Sequence, residues 1–476
     1  MPAKVRHGLA GPEKMDASAP AVSGPGSSVE YPPWWEAWAI RARARLAGRW
    51  KNNRVARESA ALALVARAHL PGRTTPQRLT DLITACKHAQ SRRLRRLLEA
   101  RIAPFLSGPR AGIWRAEKIG WSRFYGEFGD LRAQKALTTS LLLKAPGPGG
   151  EKGVLYSAFE YNWMRLIAHH DARAFLSEYT LVGASSYSPT HYAALANFAG
   201  LSDDPVFIGV SNHADLEAYR VLSPVIEPVP LLACDLNDPN QYTPKPHAER
   251  RIDILMVATW LRVKRHWLLW EALAGMPRDL RVVLVGRNLP GRTAHDLLRE
   301  ARAFGVRQHL EFELNVPPER VAELQCDARV SAVFSDREGS CVAVTESMFA
   351  DSPVAMMADA HVGAKAYINE QTGVLLRRKG IGAQLRRFLE TSHLFTPRAW
   401  ALRNVSCHVS ARRLNDILRA DALARGRPWT EDIAPFCRRY VAQYIDASDE
   451  ARLAPAVAEL ERRHGVRLTR WEYRAT

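Results

Sequence analysis

"ARVSAVFSDREGSCVAVTESMFADSPVAMMA" occupies positions 328 to 358. Its opening run, Ala328 to Asp336, is apolar and rich in β-branched residues and reads as a buried strand. "VTESMFAD" (Val344 to Asp351) has helical spacing, and "PVAMMA" (Pro353 to Ala358) returns to a strand pattern. A strand, a short helix and a second strand in so few residues make a crossover unit of a parallel sheet. Two glutamates, Glu338 and Glu346, flank seven residues at the strand-to-helix junction. The spacing places Glu338 in the loop after the strand and Glu346 in the first turn of the helix. By itself that pattern fits a surface turn with a capped helix as well as a functional device.

The alternation continues on both sides. Upstream, "RIDILMVATW", "LRVVLVG" and "HLEFEL" read as strands, and "KRHWLLWEALAGM", "TAHDLLREARAFGV" and "PPERVAELQCD" as the intervening helices. Together these elements predict a doubly wound domain over 246–425. Before it, "KGVLYSAF", "EYTLVGASSYS" and "DPVFIGVSN" read as strands of a first such domain over 111–245, ending in the turn-rich linker "LACDLNDPNQYTPKPHAE" (Leu232 to Glu249). The expected class is α/β, with two parallel-sheet domains facing a cleft. Residues 426–476 read as C-terminal helices crossing back to the first domain, 31–110 as a basic helical extension, and 1–30, rich in Pro, Gly, Ala and Ser, as disordered.

Charge is concentrated at one end. Of the net +18, residues 1–150 carry 26 Lys+Arg against 10 Asp+Glu, leaving 41 against 39 for the rest. In "YPPWWEAWAIRARARLAGRW", Trp35, Trp38, Ala42, Leu46 and Trp50 fall near one helical face with Arg41 and Arg45 beside them. Three readings stay open: tryptophans packed on the next domain under a solvated face, contact with an anionic membrane surface, or nucleic-acid binding. The last is disfavoured by the lack of any recognition module. Six scattered cysteines without a C-x-x-C pair argue against a disulfide framework or a thiolate metal site. Neither a leader nor a spanning segment is indicated, so the expected location is the cytoplasm, or the periphery of the cell membrane's inner face.

Ligands of doubly wound sheets sit beyond the carboxyl ends of the strands. There the second domain offers Arg262, Lys264 and Arg265, then Gly286, then Glu338, Gly339, Ser340 and Glu346. Cations beside a helix start suit a diphosphate, and a carboxylate can accept from both hydroxyls of a ribose. The first domain offers Asn162 in "FEYNW", the pair His169 and His170, and His213 in "SNHAD".

"REGSCVAVTESMFADSPV" followed by "INEQTGVLL" resembles the GT-B glycosyltransferases of the large retaining family four, with good agreement from Arg251 to Leu376. The resemblance implies a nucleotide-sugar donor, UDP- or GDP-linked, bound by the second domain without any further cofactor. Glu346 would hold the ribose, Glu338 with Gly339 and Ser340 the sugar, Lys264 the diphosphate, and Gly373 would match the glycine of the following loop. Thr259 stands where the family usually has an arginine, so Arg262 or Arg265 would supply the missing charge. No two aspartates are separated by a single residue, and metal-independent transfer is therefore expected. The acceptor would be a glycan or a lipid-linked acceptor, contacted by Asn162, His169, His170 and His213, with Lys264, Glu338 and His213 nearest the reaction. Two other readings stand beside this one: a non-catalytic scaffold of the same fold binding through its basic extension, and a sugar-nucleotide epimerase.

Overall fold

The computed structural model describes residues 30–46, 53–106, 134–185, 195–213, 216–220, 225–439 and 441–469. The expected disordered stretch 1–30 therefore lies, but for Glu30, outside the described residues, as does Trp50.

The first domain contains β1 (Leu137–Thr138), β2 (Ser140–Lys144), β3 (Gly153–Ala158), β4 (Tyr179–Ala184), β5 (Val206–Gly209) and β6 (Ile226–Val229). Five of these form one sheet in the order β2-β3-β4-β5-β6, parallel except for the antiparallel β2-β3 pair. A parallel sheet wound strictly in sequence has a consequence. Right-handed crossovers place every connecting helix on the same face and leave the other bare. On the covered face Leu142, Leu155, Leu181 and Ile208 pack with Trp163, Leu166 and Phe175 from the helices Glu160–His169 and Ala172–Glu178.

The other face presents Leu141, Leu143, Val154, Tyr156, Val182 and Phe207, and the end of the chain covers it. The helix Cys407–Ala424 lays Leu414 and Leu418 there. A later hairpin adds Phe436, whose ring lies 4.7 Å from that of Tyr156. Buried Lys144 pairs with Glu151, which accepts from Thr430 N at 2.8 Å and Thr430 Oγ1 at 2.6 Å, tying the returning segment to the sheet. The return crossing thus begins at Cys407, ahead of the 426 read from sequence.

The second domain is a six-stranded, all-parallel sheet of β7 (Ile252–Val257), β8 (Val282–Gly286), β9 (Leu310–Leu314), β10 (Ala328–Val333), β11 (Val354–Met357) and β12 (Gly373–Leu376). Its order is β12-β11-β10-β7-β8-β9. The chain starts at the centre, runs outward to β9, and resumes at β10 on the other side of β7. Loops leaving β7 and β10 therefore diverge and open a crevice between them.

After helix Cys407–Ala424 come β13 (Phe436–Arg439) and β14 (Val441–Tyr444), which pair with each other, and β15 (Leu468–Thr469), which pairs with β1. The helices of the extension, Trp34–Leu46, Arg54–Ala68, Thr75–His88 and Arg92–Leu106, precede both domains.

The linker joins the two halves through buried polar contacts. Asp235 accepts from the Tyr367 hydroxyl at 2.7 and 2.9 Å and from Leu232 N at 2.8 Å, and burial pushes its carboxyl up to about 6. Asn237 Nδ2 donates to Thr345 Oγ1 at 2.9 Å, and Thr345 Oγ1 donates to Cys234 O at 3.0 Å. A Cβ on Gly363 would lie 2.1 Å from Ser211 O of the first domain, so only glycine allows this approach. Tyr367→Phe leaves a buried carboxylate short of its main donor, and an expected loss of about 1 to 3 kcal/mol should appear as a lower urea midpoint with an unchanged far-UV spectrum.

Candidate functional site

The crevice between β7 and β10 is built by two loops that hold each other. After β7 the chain passes through Ala258 to Leu261, makes a 3-10 turn at Arg262–Lys264, and takes a left-handed conformation at Arg265 (φ 51°) before the helix His266–Leu273. After β10, Asp336 N donates to Val263 O at 2.8 Å, joining the loops across the crevice. The second loop is also stitched to residues 361–364: Glu338 N donates to His361 O, Gly363 N to Gly339 O and Ala364 N to Ser340 O, at 3.1, 2.7 and 3.1 Å.

Within this frame Lys264 Nζ donates to Glu338 Oε1 at 2.6 Å, with both side chains about one-sixth exposed (17% and 18%). Burial opposes the ammonium's charge, but the carboxylate beside it outweighs burial and holds the Lys264 pKa above its ordinary value. The helix Val342–Phe349 starts just beyond, directing the positive end of its backbone dipole toward the same crevice. Glu346 is the fifth residue of that helix, one turn further in than the sequence spacing implied, so it does not cap the first turn. Its carboxylate has one amide neighbour, Gln325 Nε2 donating to Oε2 at 3.4 Å, and burial raises its pKa. A half-buried carboxylate this thinly partnered is suited to accept from two hydroxyls.

Several other residues singled out in the sequence serve the scaffold. Arg265 is buried, donates to Phe334 O at 2.6 Å and Ser335 O at 3.1 Å, and pairs with Asp336 and Asp359, which commits its guanidinium to holding the loops. A Cβ on Gly286 would sit 2.4 Å from Ala258 O and 2.7 Å from the Trp260 ring, so the glycine serves loop packing. Gly373 opens β12 opposite Val354, at the amino end of the sheet, where a Cβ would lie 2.0 Å from Val354 O. That end is remote from the carboxyl-end crevice. Arg262 stays exposed at the crevice rim, its pKa lowered by burial and by the nearby Arg292.

On the first domain, Asn162 is fully buried and spends its amide on Thr138 N (3.1 Å), Thr138 O (2.5 Å) and Ala158 O (2.7 Å), leaving nothing for an acceptor. His169 and His170 end a ten-residue helix that starts at the carboxyl end of β3. That helix carries them about 15 Å back toward the amino ends, where His170 Nε2 contacts Lys135 O at 3.0 Å. His213 does reach the cleft: its ring lies 6.1 Å from that of Tyr367 of the second domain, edge to face.

Three features escaped the sequence. Arg438 on β13 is bridged through its backbone to Asn237, and its charge acts on Glu346 and on Tyr161 across the domain boundary. No hydrogen bond or ion pair holds its guanidinium among the described residues. His266 is fully buried beside Trp260 (5.5 Å), with neither ring nitrogen partnered among the described residues. Burial, then Arg292 and Lys264, push it well below the ordinary range, so the ring is neutral. The third is a possible metal-ligand group. Asp238, Cys407 and His408 have donor atoms within 4.8 Å of one another, but at the junction of linker and return helix, away from the crevice. A cation there would face the positive end of that helix.

With this geometry in place, residues 238–394 match the family described as glycosyl transferases group 1, a segment that includes all of the second sheet and both crevice loops. No curated protein matches the chain. Among solved structures, sucrose-phosphate synthase from Thermosynechococcus elongatus is similar at 15% identity and a TM-score of 0.45, over 57% of this chain and 74% of that one. HepE of Anabaena, solved in complex with UDP, is similar at 15% identity and a TM-score of 0.46, over 56% and 78%. S. aureus TarM, in a complex with UDP, is similar at 12% identity and 0.41, over 51% of each. At these identities and scores the likenesses assign no residue. The family match makes the second domain a glycosyltransferase domain.

Glu346→Gln separates the site from the scaffold. A carboxyl whose folded pKa lies above its ordinary 4.5 destabilises the protein at neutral pH, and the penalty disappears once the pH falls below that ordinary value. The variant should therefore melt at a temperature equal to or above wild type at pH 7, with the advantage gone near pH 4, while nucleotide-sugar binding is lost. Differential scanning calorimetry across that range checks it.

Proposed function

We propose that the chain transfers a hexosyl unit from a UDP- or GDP-sugar to a glycan or lipid-linked acceptor in polysaccharide or glycoconjugate synthesis. The transfer retains anomeric configuration, needs no metal ion, and takes place at the inner face of a membrane. The carrying observation is the Lys264–Glu338 pair, 2.6 Å across the crevice of a domain that matches the group 1 family.

The chemistry assigns these residues distinct roles. A donor's diphosphate replaces Glu338 as the partner of Lys264. The released Glu338 carboxylate then turns to the hydroxyls of the sugar, while Glu346 accepts from the ribose. As the anomeric C–O bond breaks, negative charge grows on the diphosphate, where Lys264 and the start of helix Val342–Phe349 are already aimed. Thr259, in place of the family's usual arginine, leaves this side one cation short, and its Oγ1 is buried with no partner among the described residues. Arg438 on the return hairpin adds a further positive charge that acts on Glu346. The metal-free reading rests on the absence of any Asp-x-Asp spacing. With retention, the leaving phosphate takes the acceptor's proton, so no pair of carboxylates of the glycosidase kind is required. His213 faces the cleft from the acceptor side.

The second reading, a non-catalytic scaffold of this fold, is favoured by Thr259 alone. A panel of UDP-, GDP- and ADP-sugars separates the two. At 100 times its dissociation constant a bound donor adds about 2.7 kcal/mol of stability, whereas a scaffold's melting temperature stays unchanged with every donor. With the donor identified, Lys264→Ala should lower turnover about 100- to 1,000-fold. Arg438→Ala should raise the donor's dissociation constant, and Arg438→Lys should recover part of the loss. Wild-type donor affinity in Arg438→Ala removes that arginine from the site.

A further inference from the structure

The helix Trp34–Leu46 lies on the second domain with its polarity reversed relative to a core-facing helix. Its buried contacts are small or charged: Ala37 and Ala44 are 7% and 4% exposed, Glu36 pairs with Arg299, and Arg41 Nη1 donates to Ala303 O at 3.0 Å. Arg45 Nη2 donates to Glu271 Oε1 at 3.2 Å, and Tyr31 donates to Val306 O at 3.0 Å. The large apolar side chains face outward, with Trp34 82%, Trp35 59%, Trp38 65% and Leu46 52% exposed. Among the described residues these tryptophans are mainly exposed, and Trp38 also borders an opening beside Phe304. Three indoles within five residues form an aromatic face that the described residues leave largely exposed, which soluble surfaces rarely carry without a use.

Beside that face, between the helix and the domain, is a cavity of about 370 Å3 lined by Trp38, Arg41, Arg45, Glu271 and Phe304 among others. The Arg45 guanidinium lies over the Phe304 ring at 5.5 Å, and its Nε is buried without a partner among the described residues. The cavity's lining also carries the Glu271 carboxylate, which already pairs with Arg45, while Arg41 donates to Ala303 O, so the opening is not a free anion site. The surroundings are basic: residues 30–106 hold 16 Lys+Arg against 5 Asp+Glu.

We propose that this helix seats the protein on an anionic bilayer, with Trp34, Trp35 and Trp38 in the headgroup layer and the basic surface around them toward the lipid charge. Indoles favour that boundary because the ring is apolar while its N–H can still find an acceptor. No helix of the described residues is long and apolar enough to cross a membrane, so contact is at the surface. The helix is held to the domain that contains Lys264, so the seat would tie that domain to the lipid surface. The inference rests on the placement at a membrane face and specifies the part of the chain responsible.

The test is co-sedimentation of the full chain with phosphatidylcholine vesicles, with and without phosphatidylglycerol. Wild type should pellet with the anionic vesicles only, with a blue shift of tryptophan emission. The triple variant Trp34→Ala/Trp35→Ala/Trp38→Ala should lose binding by at least about tenfold, and Arg43→Ala, at an exposed position, by about fivefold. Both variants should keep the wild-type melting temperature. Undiminished pelleting of the triple variant overturns the seat while leaving the membrane placement intact. Indifference of wild type to phosphatidylglycerol, or a preference for RNA over vesicles, overturns both.

Discussion

Lys264 and Glu338 meet at the point where the second sheet reverses its direction of growth, and the other parts of the crevice are arranged around that meeting. An ion pair taken partly out of water is a poor source of stability, because desolvation offsets most of the attraction. In the proposed reaction its value lies in keeping two opposite charges poised at the mouth of a crevice until the donor's diphosphate displaces one of them. For that, the loops must not move when the pair opens. The bond from Asp336 N to Val263 O, the bracing of both loops by Arg265, and the backbone ladder to residues 361–364 fix them independently of the pair.

The topology of the first sheet explains why the end of the chain returns to it. A sheet wound in sequence covers one face with its own helices and must borrow cover for the other. The return helix and the β13–β14 hairpin supply that cover, and in doing so bring Arg438 alongside Asn237 and within electrostatic reach of Glu346. Asn237 in turn anchors to Thr345, the residue before Glu346.

Much of this was legible in the sequence, and the rest failed for physical reasons. Five of the six strands of the second sheet were read from the sequence, most of them as apolar runs because a central parallel strand is buried on both faces, whereas the edge strand β12, partly exposed along its length, was not read as a strand. Lys264 and Glu338 sit at the ends of two such runs, so spacing alone brings them to the crevice. Glycines were harder to read. Gly286 and Gly373 are both required, but by the close passage of Ala258 O and Val354 O, and spacing cannot tell a backbone neighbour from a ligand. Polar residues near strand ends were ambiguous in the same way: Asn162 is spent inside the first domain, and His169 and His170 are carried a helix length away. Arg438 and the Asp235–Tyr367 bond unite positions more than ninety residues apart, and no local pattern marks them. The periodicity of Trp34–Leu46 could not say which of its faces points away from the second domain.

The central claim is that a nucleotide-sugar diphosphate enters between the loops after β7 and β10 and takes Lys264 from Glu338. Backbone hydrogen exchange of the full chain, with and without UDP or GDP, tests it most directly. One of the two nucleotides should slow exchange in residues 261–266 and 336–346, with the rest of the second domain unchanged. Unaltered exchange in both segments at saturating nucleotide, or protection confined to other parts of the chain, would contradict the account.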